Sequence, residues 1–344
     1  MFFKGMSFGF MARNGYYSSE AGKQEIQNLI NSGADSIALM VTIMQDAFYS
    51  TRMYRDFEIT PSDDELRETI RTFRKAGIKI MLKPILEMHD SCHRGDVRFP
   101  PENQEQISGI RTNYWAMWFK NYTAAMVHYA RICELEGVEM LLLGCELTAQ
   151  DAKEEYWPPL IEAVRKVYHG LLAYNTPSWW HYAVDQGWVR NWFSLLDMVG
   201  ISNYYGKGHD PKTQKYGMHI DEVNADTICE GMMTVVKNLD EAYEIFHKPI
   251  FMAEVGVRSV QHALDAPSDC WNNQNGFDGE IQIMFMDGFC RAFSTRDWWA
   301  GFFWWKWDEQ QNRPHFHHPT GDTGCTIKGK PCEKYFHDLV VPYR

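Results

Sequence analysis

Eight short apolar, β-rich runs alternate with amphipathic stretches along the whole chain, and this pattern restricts the fold more than any other feature. The candidate strands are Met6–Ala12, Ser36–Thr42, Lys79–Leu86, Met140–Glu146, Leu171–Thr176, Met198–Tyr204, Ile250–Gly256 and Trp299–Trp307. Helical patterns fall between them at about 19–32, 62–76, 113–136, 154–169, 185–195, 226–246 and 277–296, with a short last one near 332–340. Helix starts carry caps: Thr60-Pro-Ser-Asp-Asp-Glu65 supplies a Ser/Asp cap and first-turn acids, and Ser18-Ser-Glu20 does so less clearly. Gly33 and Gly77 stand where a glycine ends the first two helices. Repeated βα units imply a parallel sheet covered by helices. Eight of them, with no long linker or low-complexity stretch, predict one α/β domain over residues 1–344, a single (β/α)8 TIM barrel. An open doubly wound sheet is the structural rival. Neither GxGxxG after the first strand nor GxxxxGK[ST] occurs, so nucleotide binding has no support and no cofactor is expected.

Charge and composition narrow the partners. Lys+Arg 34 against Asp+Glu 45 leaves a net charge of −11, with no basic run of the kind that tracks phosphates, so nucleic acid is not an expected partner. The longest apolar runs, such as Met140-Leu-Leu-Leu-Gly-Cys145, fall well short of the ~20 residues a membrane helix needs, so no membrane span is expected. Met1-Phe-Phe-Lys-Gly-Met-Ser-Phe-Gly-Phe10 reads as the first strand rather than a signal peptide, which predicts a cytoplasmic location unless a leader was removed. The eight Cys are scattered, several within apolar patterns, and are expected to be reduced core residues. Oligomeric state is left open.

In a barrel of this kind, reactive groups gather at the C-terminal ends of the strands. The fourth run ends in Glu146 and the seventh, Ile250-Phe-Met-Ala-Glu-Val-Gly256, carries Glu254. Either alone reads as a solvated or paired rim acid. Together, on strands that face each other across the barrel, they form the carboxylate pair that glycoside cleavage needs, one protonating the leaving oxygen and the other attacking the anomeric carbon or activating water. The chemistry then requires the acid of the pair to have a raised pKa relative to its partner. Five of the 13 Trp lie in Trp298-Trp-Ala-Gly-Phe-Phe-Trp-Trp-Lys-Trp307, and indole faces stack on the C–H faces of sugars. Strand alternation places Trp305 and Trp307 toward the cleft, with Trp304 and Trp298 packing behind. Lys83, Trp179, Trp180 and Asn203 are further substrate-binding candidates at strand ends, and either Tyr204 or Tyr205 is placed to hydrogen-bond a carboxylate. Arg258 either orients a carboxylate or is an ordinary surface arginine. The residues Glu87-Met-His89-Asp-Ser-Cys-His93 and His315-Phe-His-His318 contain metal-ligand types, but neither is HExxH, and no metal site is expected.

With those residues in hand the chain resembles the clan A glycoside hydrolases, and most closely glycoside hydrolase family 113, known chiefly for β-1,4-mannan hydrolysis. The resemblance rests on Gly144-Cys-Glu-Leu147, Ala253-Glu-Val-Gly-Val-Arg-Ser259 and Gly301-Phe-Phe-Trp-Trp-Lys-Trp307, supported by Asp197-Met-Val-Gly-Ile-Ser-Asn-Tyr-Tyr205, Lys4-Gly-Met-Ser-Phe8 and Lys83-Pro84. It implies a retaining glycosidase of β-mannan or manno-oligosaccharides, with Glu146 as general acid/base and Glu254 as nucleophile, and so a raised pKa at Glu146 relative to Glu254. One departure stands out: many clan A enzymes have Asn before the acid/base, contacting the sugar 2-hydroxyl, and here that residue is Cys145, whose thiol cannot replace an amide donor. The same fold and chemistry on a β-glucan or β-xylan, or a non-catalytic carbohydrate-binding barrel, are the alternatives.

Overall fold

The computed structural model describes residues 1–100, 112–177, 190–206, 223–269, 273–307 and 320–343, together with the backbone of 209–210, 215–216 and 317–318. The barrel strands are β1 (Phe3–Phe8), β2 (Ser36–Gln45), β3 (Lys79–Met88), β4 (Met140–Cys145), β5 (Leu171–Thr176), β6 (Met198–Asn203), β7 (Ile250–Val255) and β8 (Trp299–Trp304). Each pairs in parallel with its neighbours in chain order, and β1 pairs with both β8 and β2. The sheet is therefore closed, a (β/α)8 TIM barrel rather than an open doubly wound sheet. A two-residue strand, Met53–Tyr54, adds antiparallel to the end of β2.

The surrounding helices are α1 (Glu20–Ile30), α2 (Asp63–Lys75), α3 (Tyr114–Glu136), α4 (Trp157–Arg165), α5 (Ala225–Phe246), α6 (Glu280–Phe293) and α7 (Pro331–Asp338). Ser19 and Ser62 cap α1 and α2 by accepting from the N–H of Gly22 and Glu65. Gly33 and Gly77 follow these helices with φ of 83° and 81°, the left-handed conformation that glycine adopts without strain. Several expected boundaries move, two of them markedly at the ends of β1 and β8. β1 ends at Phe8 because Gly9 and Met11 turn left-handed, at φ 87° and 57°, and β8 ends at Trp304 rather than Trp307. Only 190–195 of the expected helix at 185–195 lies within the described residues, and Asn191–Leu195 there is a short 3-10 helix.

Two apolar layers follow from the alternation of the strands. Phe3, Met40, Met81, Ile85, Met140, Leu142, Phe251 and Phe303 fill the barrel interior. The opposite faces of the strands meet the helices in a larger core rich in aromatic rings, including Trp157 stacked on Trp192 with centroids 4.2 Å apart. No cysteine among the described residues is in a disulfide, and no described helix is long and apolar enough to cross a membrane.

Candidate active site

Glu254 and Glu146 both follow irregularities in their strands. Against β6, β7 advances two residues from Met252 to Glu254 while its partner advances one, and against β5, β4 takes three steps from Leu142 to Cys145 for two. Each strand thus carries one extra residue just before its carboxylate. Such bulges re-aim the side chains that follow them.

Three donors from three other barrel strands or their ends converge on Glu254, which is 4% exposed. The Lys83 ammonium from β3 donates to Oε1 and also lies 3.4 Å from the Ala253 carbonyl. The Cys145 thiol donates to the same oxygen at 3.2 Å, and the Tyr204 hydroxyl to Oε2 at 2.9 Å. An ionised carboxylate only accepts, so this set of donors matches the charged form of the side chain. Burial, and then the nearby Glu254 and Glu146 charges, push the Tyr204 hydroxyl far above its ordinary pKa, so it stays a donor. The Cys145 sulfur also accepts from Asn175 Nδ2 at 3.2 Å. Burial pushes this thiol well up, so the residue acts as a neutral weak donor.

Glu146 sits in the left-handed region at φ 55°, held there by its N–H donating to the Asn175 carbonyl at 2.9 Å. A non-glycine residue in that region carries backbone strain, which persists where surrounding contacts over-determine it. Its Oε2 accepts from Arg94 at 3.0 Å, and the His93 Nε2 lies 3.6 Å away. His93 Nδ1 accepts from the Gly95 N–H, so the proton of the neutral ring is on the nitrogen facing Glu146. Arg94 is shared: it also pairs with Glu87 and donates to the Leu86 carbonyl at 3.1 Å. Burial alone would raise the pKa of Glu146, but His93, Arg94 and Ser202 outweigh it and bring it down to about 2. The raised pKa expected from the sequence is therefore wrong for the molecule without substrate. His93, the largest of the lowering causes, lies in the stretch Glu87–His93 that the sequence marked for its ligand-type residues, whereas Arg94 next to it carried no sequence signal of its own.

Other candidates separate cleanly. Trp305 belongs to the interior layer, its ring 5.4 Å from Lys83 Nζ and 5.3 Å from Phe10. Trp307 does not reach the cleft: it is fully buried in the outer core and its Nε1 donates to Glu25 of α1, because alternation stops where β8 stops. Trp304 and Trp298 pack in the outer core. Asn203 faces outward, its amide 3.4 Å from the Met252 sulfur, whereas Ser202 and Tyr204 on either side serve the interior. Tyr205 is buried in the outer core. Lys83 is entirely buried, so it offers no surface to a sugar and instead holds Glu254. Arg258 is not a surface residue: 2% exposed, it donates to the carbonyls of Thr323 and Asn273 and to the Thr323 hydroxyl. Trp179 and Trp180 lie outside the described residues, as do the side chains of the stretch 315–318. Among the described residues no group of three or more His, Cys, Asp or Glu is placed to hold a metal ion, and Glu87 and His93 instead serve Arg94 and Glu146.

A cavity of about 370 Å³ opens over this constellation, lined by Glu146, Pro177, Tyr204 and residues 265–268. A closed (β/α)8 barrel with two strand-end carboxylates beside one cavity is the architecture of a glycoside hydrolase. The comparison with known families is specific: the model of Glycoside Hydrolase Family 113 matches residues 6–330, and the chain belongs to that family. Among solved structures, a GH113 β-1,4-mannanase is 25% identical with a TM-score of 0.78, covering 98% of this chain and 97% of its own. The GH113 β-mannanase AaManA from Alicyclobacillus acidocaldarius, in complex with ManMIm, is 24% identical with a TM-score of 0.79, over 98% and 96%. The β-glucuronidase of Faecalibacterium prausnitzii shares the fold alone, at 17% identity and a TM-score of 0.58, over 98% of this chain and 48% of its own. No curated protein matches the chain in sequence.

Proposed function

We propose that this glycoside hydrolase cleaves β-1,4-mannosidic bonds in mannan or manno-oligosaccharides by a retaining double displacement, with residues 1–344 forming one catalytic domain. The observation that carries the proposal is the convergence of Lys83, Cys145 and Tyr204 on Glu254, beside the cavity that Glu146 lines. Family membership and the likeness to β-1,4-mannanases support the choice of sugar.

In the first step Glu146 gives its proton to the glycosidic oxygen while a Glu254 oxygen bonds to the anomeric carbon, and the C–O bond to the leaving sugar breaks. In the second, Glu146 takes a proton from water, whose oxygen displaces Glu254 and restores the original configuration. Glu146 must therefore be protonated when substrate is bound. Arg94 already pairs with Glu87 as well, and an arriving glycosidic oxygen that takes its place at Glu146 leaves it a second carboxylate. Removal of that cation lets burial raise the pKa of Glu146, as the acid role requires. Trp305, its ring 5.4 Å from the Lys83 ammonium that holds Glu254, supplies an aromatic face for the sugar. Cys145 is engaged with Glu254 and Asn175, so contact with the sugar 2-hydroxyl falls to another group.

Glu254→Gln should lower kcat by several orders of magnitude while the chain still folds, at a lower melting temperature because the buried Lys83 loses its carboxylate partner. Normal turnover in that variant would sink the assignment. Proton NMR of the first-formed product reports retention. A panel of β-1,4-linked manno-, gluco- and xylo-oligosaccharides tests the sugar: faster cleavage of gluco- or xylo-oligosaccharides would move the substrate, and binding without product would make the barrel a non-catalytic carbohydrate binder.

A further inference from the structure

A continuous line of buried hydrogen bonds joins the two carboxylates. Its members come from three neighbouring strands: Cys145 at the end of β4, Asn175 in β5 and Ser202 in β6, none more than 2% exposed. The Asn175 Nδ2 donates to Cys145 Sγ at 3.2 Å and to Ser202 Oγ at 3.1 Å. Beyond these, the thiol donates to Glu254 Oε1 at 3.2 Å, and the Ser202 hydroxyl donates to Glu146 and lowers its pKa.

Chemistry fixes the direction of every link. An amide nitrogen carries two protons and accepts none, so Asn175 is the donor at both of its contacts. Cys145 and Ser202 have one side-chain proton each. With an amide proton already on the sulfur and another on the oxygen, that single proton is left for the carboxylate beyond. An acceptor in place of the amide nitrogen would draw both protons to itself and away from Glu254 and Glu146. In a dry interior, linked bonds of this kind also polarise one another. The main chain of Asn175 adds a further hold, since its carbonyl accepts the Glu146 N–H at 2.9 Å.

We infer that Asn175 is a positioning residue for both carboxylates: its one amide aims the Cys145 proton at the nucleophile and the Ser202 proton at the acid/base. It touches no reacting atom and acts through its two neighbours. The inference rests on the roles proposed for Glu254 and Glu146, and it is indifferent to which sugar is cleaved.

Asn175→Leu removes both amide donors at similar volume and leaves the main-chain carbonyl in place. Asn175→Ala, which cannot clash, carries the test if the leucine variant does not fold. Each should lower kcat/KM on a manno-oligosaccharide by about a hundredfold, roughly tenfold for each carboxylate whose donor is no longer aimed. On a dinitrophenyl β-mannobioside, whose leaving group needs no protonation, Ser202→Ala should cost much less than on the manno-oligosaccharide, whereas Cys145→Ala should cost about as much on both. Without the Ser202 donor, Glu146 keeps His93 and Arg94, with the neutral Tyr204 and Cys145 nearby, and burial is less opposed. The limb of kcat/KM that falls as pH rises should therefore move to higher pH in Ser202→Ala and in both Asn175 variants, and stay in place in Cys145→Ala. A residue that only packs would lower the melting temperature and leave that limb where it is. That outcome, or a limb that moves in Ser202→Ala alone, overturns the inference. Titration of the Glu146 carboxyl by carbon NMR reads the same shift without turnover. A chain that shows the shift but cleaves no mannan would overturn the proposed function and leave the hold of Asn175 on Glu146 standing.

Discussion

At the scale of single residues, the site is organised by how charges are shared. Glu254 has three donors of its own, whereas Glu146 holds Arg94 in common with Glu87. Arg94→Met should raise the pKa of Glu146, because burial then acts with less opposition. As the proposed acid, Glu146 sets the limb of kcat/KM that falls as pH rises, so that limb should move to higher pH in the variant. An unmoved limb in a pH–rate profile would separate Arg94 from the acid. Glu146 also tests its backbone: at φ 55°, Glu146→Gly should be more stable than Glu146→Ala by about 1 kcal/mol in chemical denaturation, the reverse of the order in a helix. The two carboxylates could be read from strand ends, and Tyr204 as one of two neighbouring tyrosines. Trp307 and Asn203 were misplaced because alternation applies only inside a strand and does not say which face meets the cleft. Lys83 was seen as a strand-end residue, but its partner sits on β7, a contact that sequence spacing does not encode.

Among the elements, the support behind Glu146 is itself titratable. The short helix Thr148–Asp151 follows directly, and Asp151 is fully buried with Oδ1 on Arg190 at 2.9 Å while Oδ2 has no hydrogen bond. Burial raises its pKa to about 7 from an ordinary 3.8, with Arg190 opposing. A carboxyl raised in the folded state contributes stability that is fully present below its unfolded pKa and is lost as pH rises through its folded value. Thermal melts should therefore show a loss of stability from about pH 4 to 7 that is flatter in Asp151→Asn; parallel curves would show that this carboxyl does not titrate in that window. Element boundaries were legible where a cap or glycine ends a helix, as at Ser19, Ser62, Gly33 and Gly77. They were not where a local turn overrides hydrophobicity, as at Gly9–Met11 after β1, or where a strand gives way within an unbroken aromatic run, as at Trp304.

For the molecule as a whole, the eightfold βα alternation was visible in the sequence, but closure was not, since it depends on the pairing of β1 with both β2 and β8. The aromatic excess, too, resolves only in three dimensions: Trp118, Trp157, Trp192, Trp304 and Trp307 are nearly or fully buried in the outer core, and Trp305 packs on the interior layer with its ring 5.4 Å from Lys83, the residue that holds Glu254. Closure has a cost during synthesis. Residues 3–8 wait about 290 residues for β8, at 299–304, and until then both β1 and β7 present a bare row of backbone donors and acceptors. A chain ending at residue 298 should therefore associate edge to edge, eluting as large oligomers in size-exclusion chromatography, whereas the full chain does not have those edges to offer. A fragment that stays monomeric would show that the seven remaining strands protect themselves. The barrel that holds Glu254 steady is thus also what makes an unfinished copy of this chain adhesive.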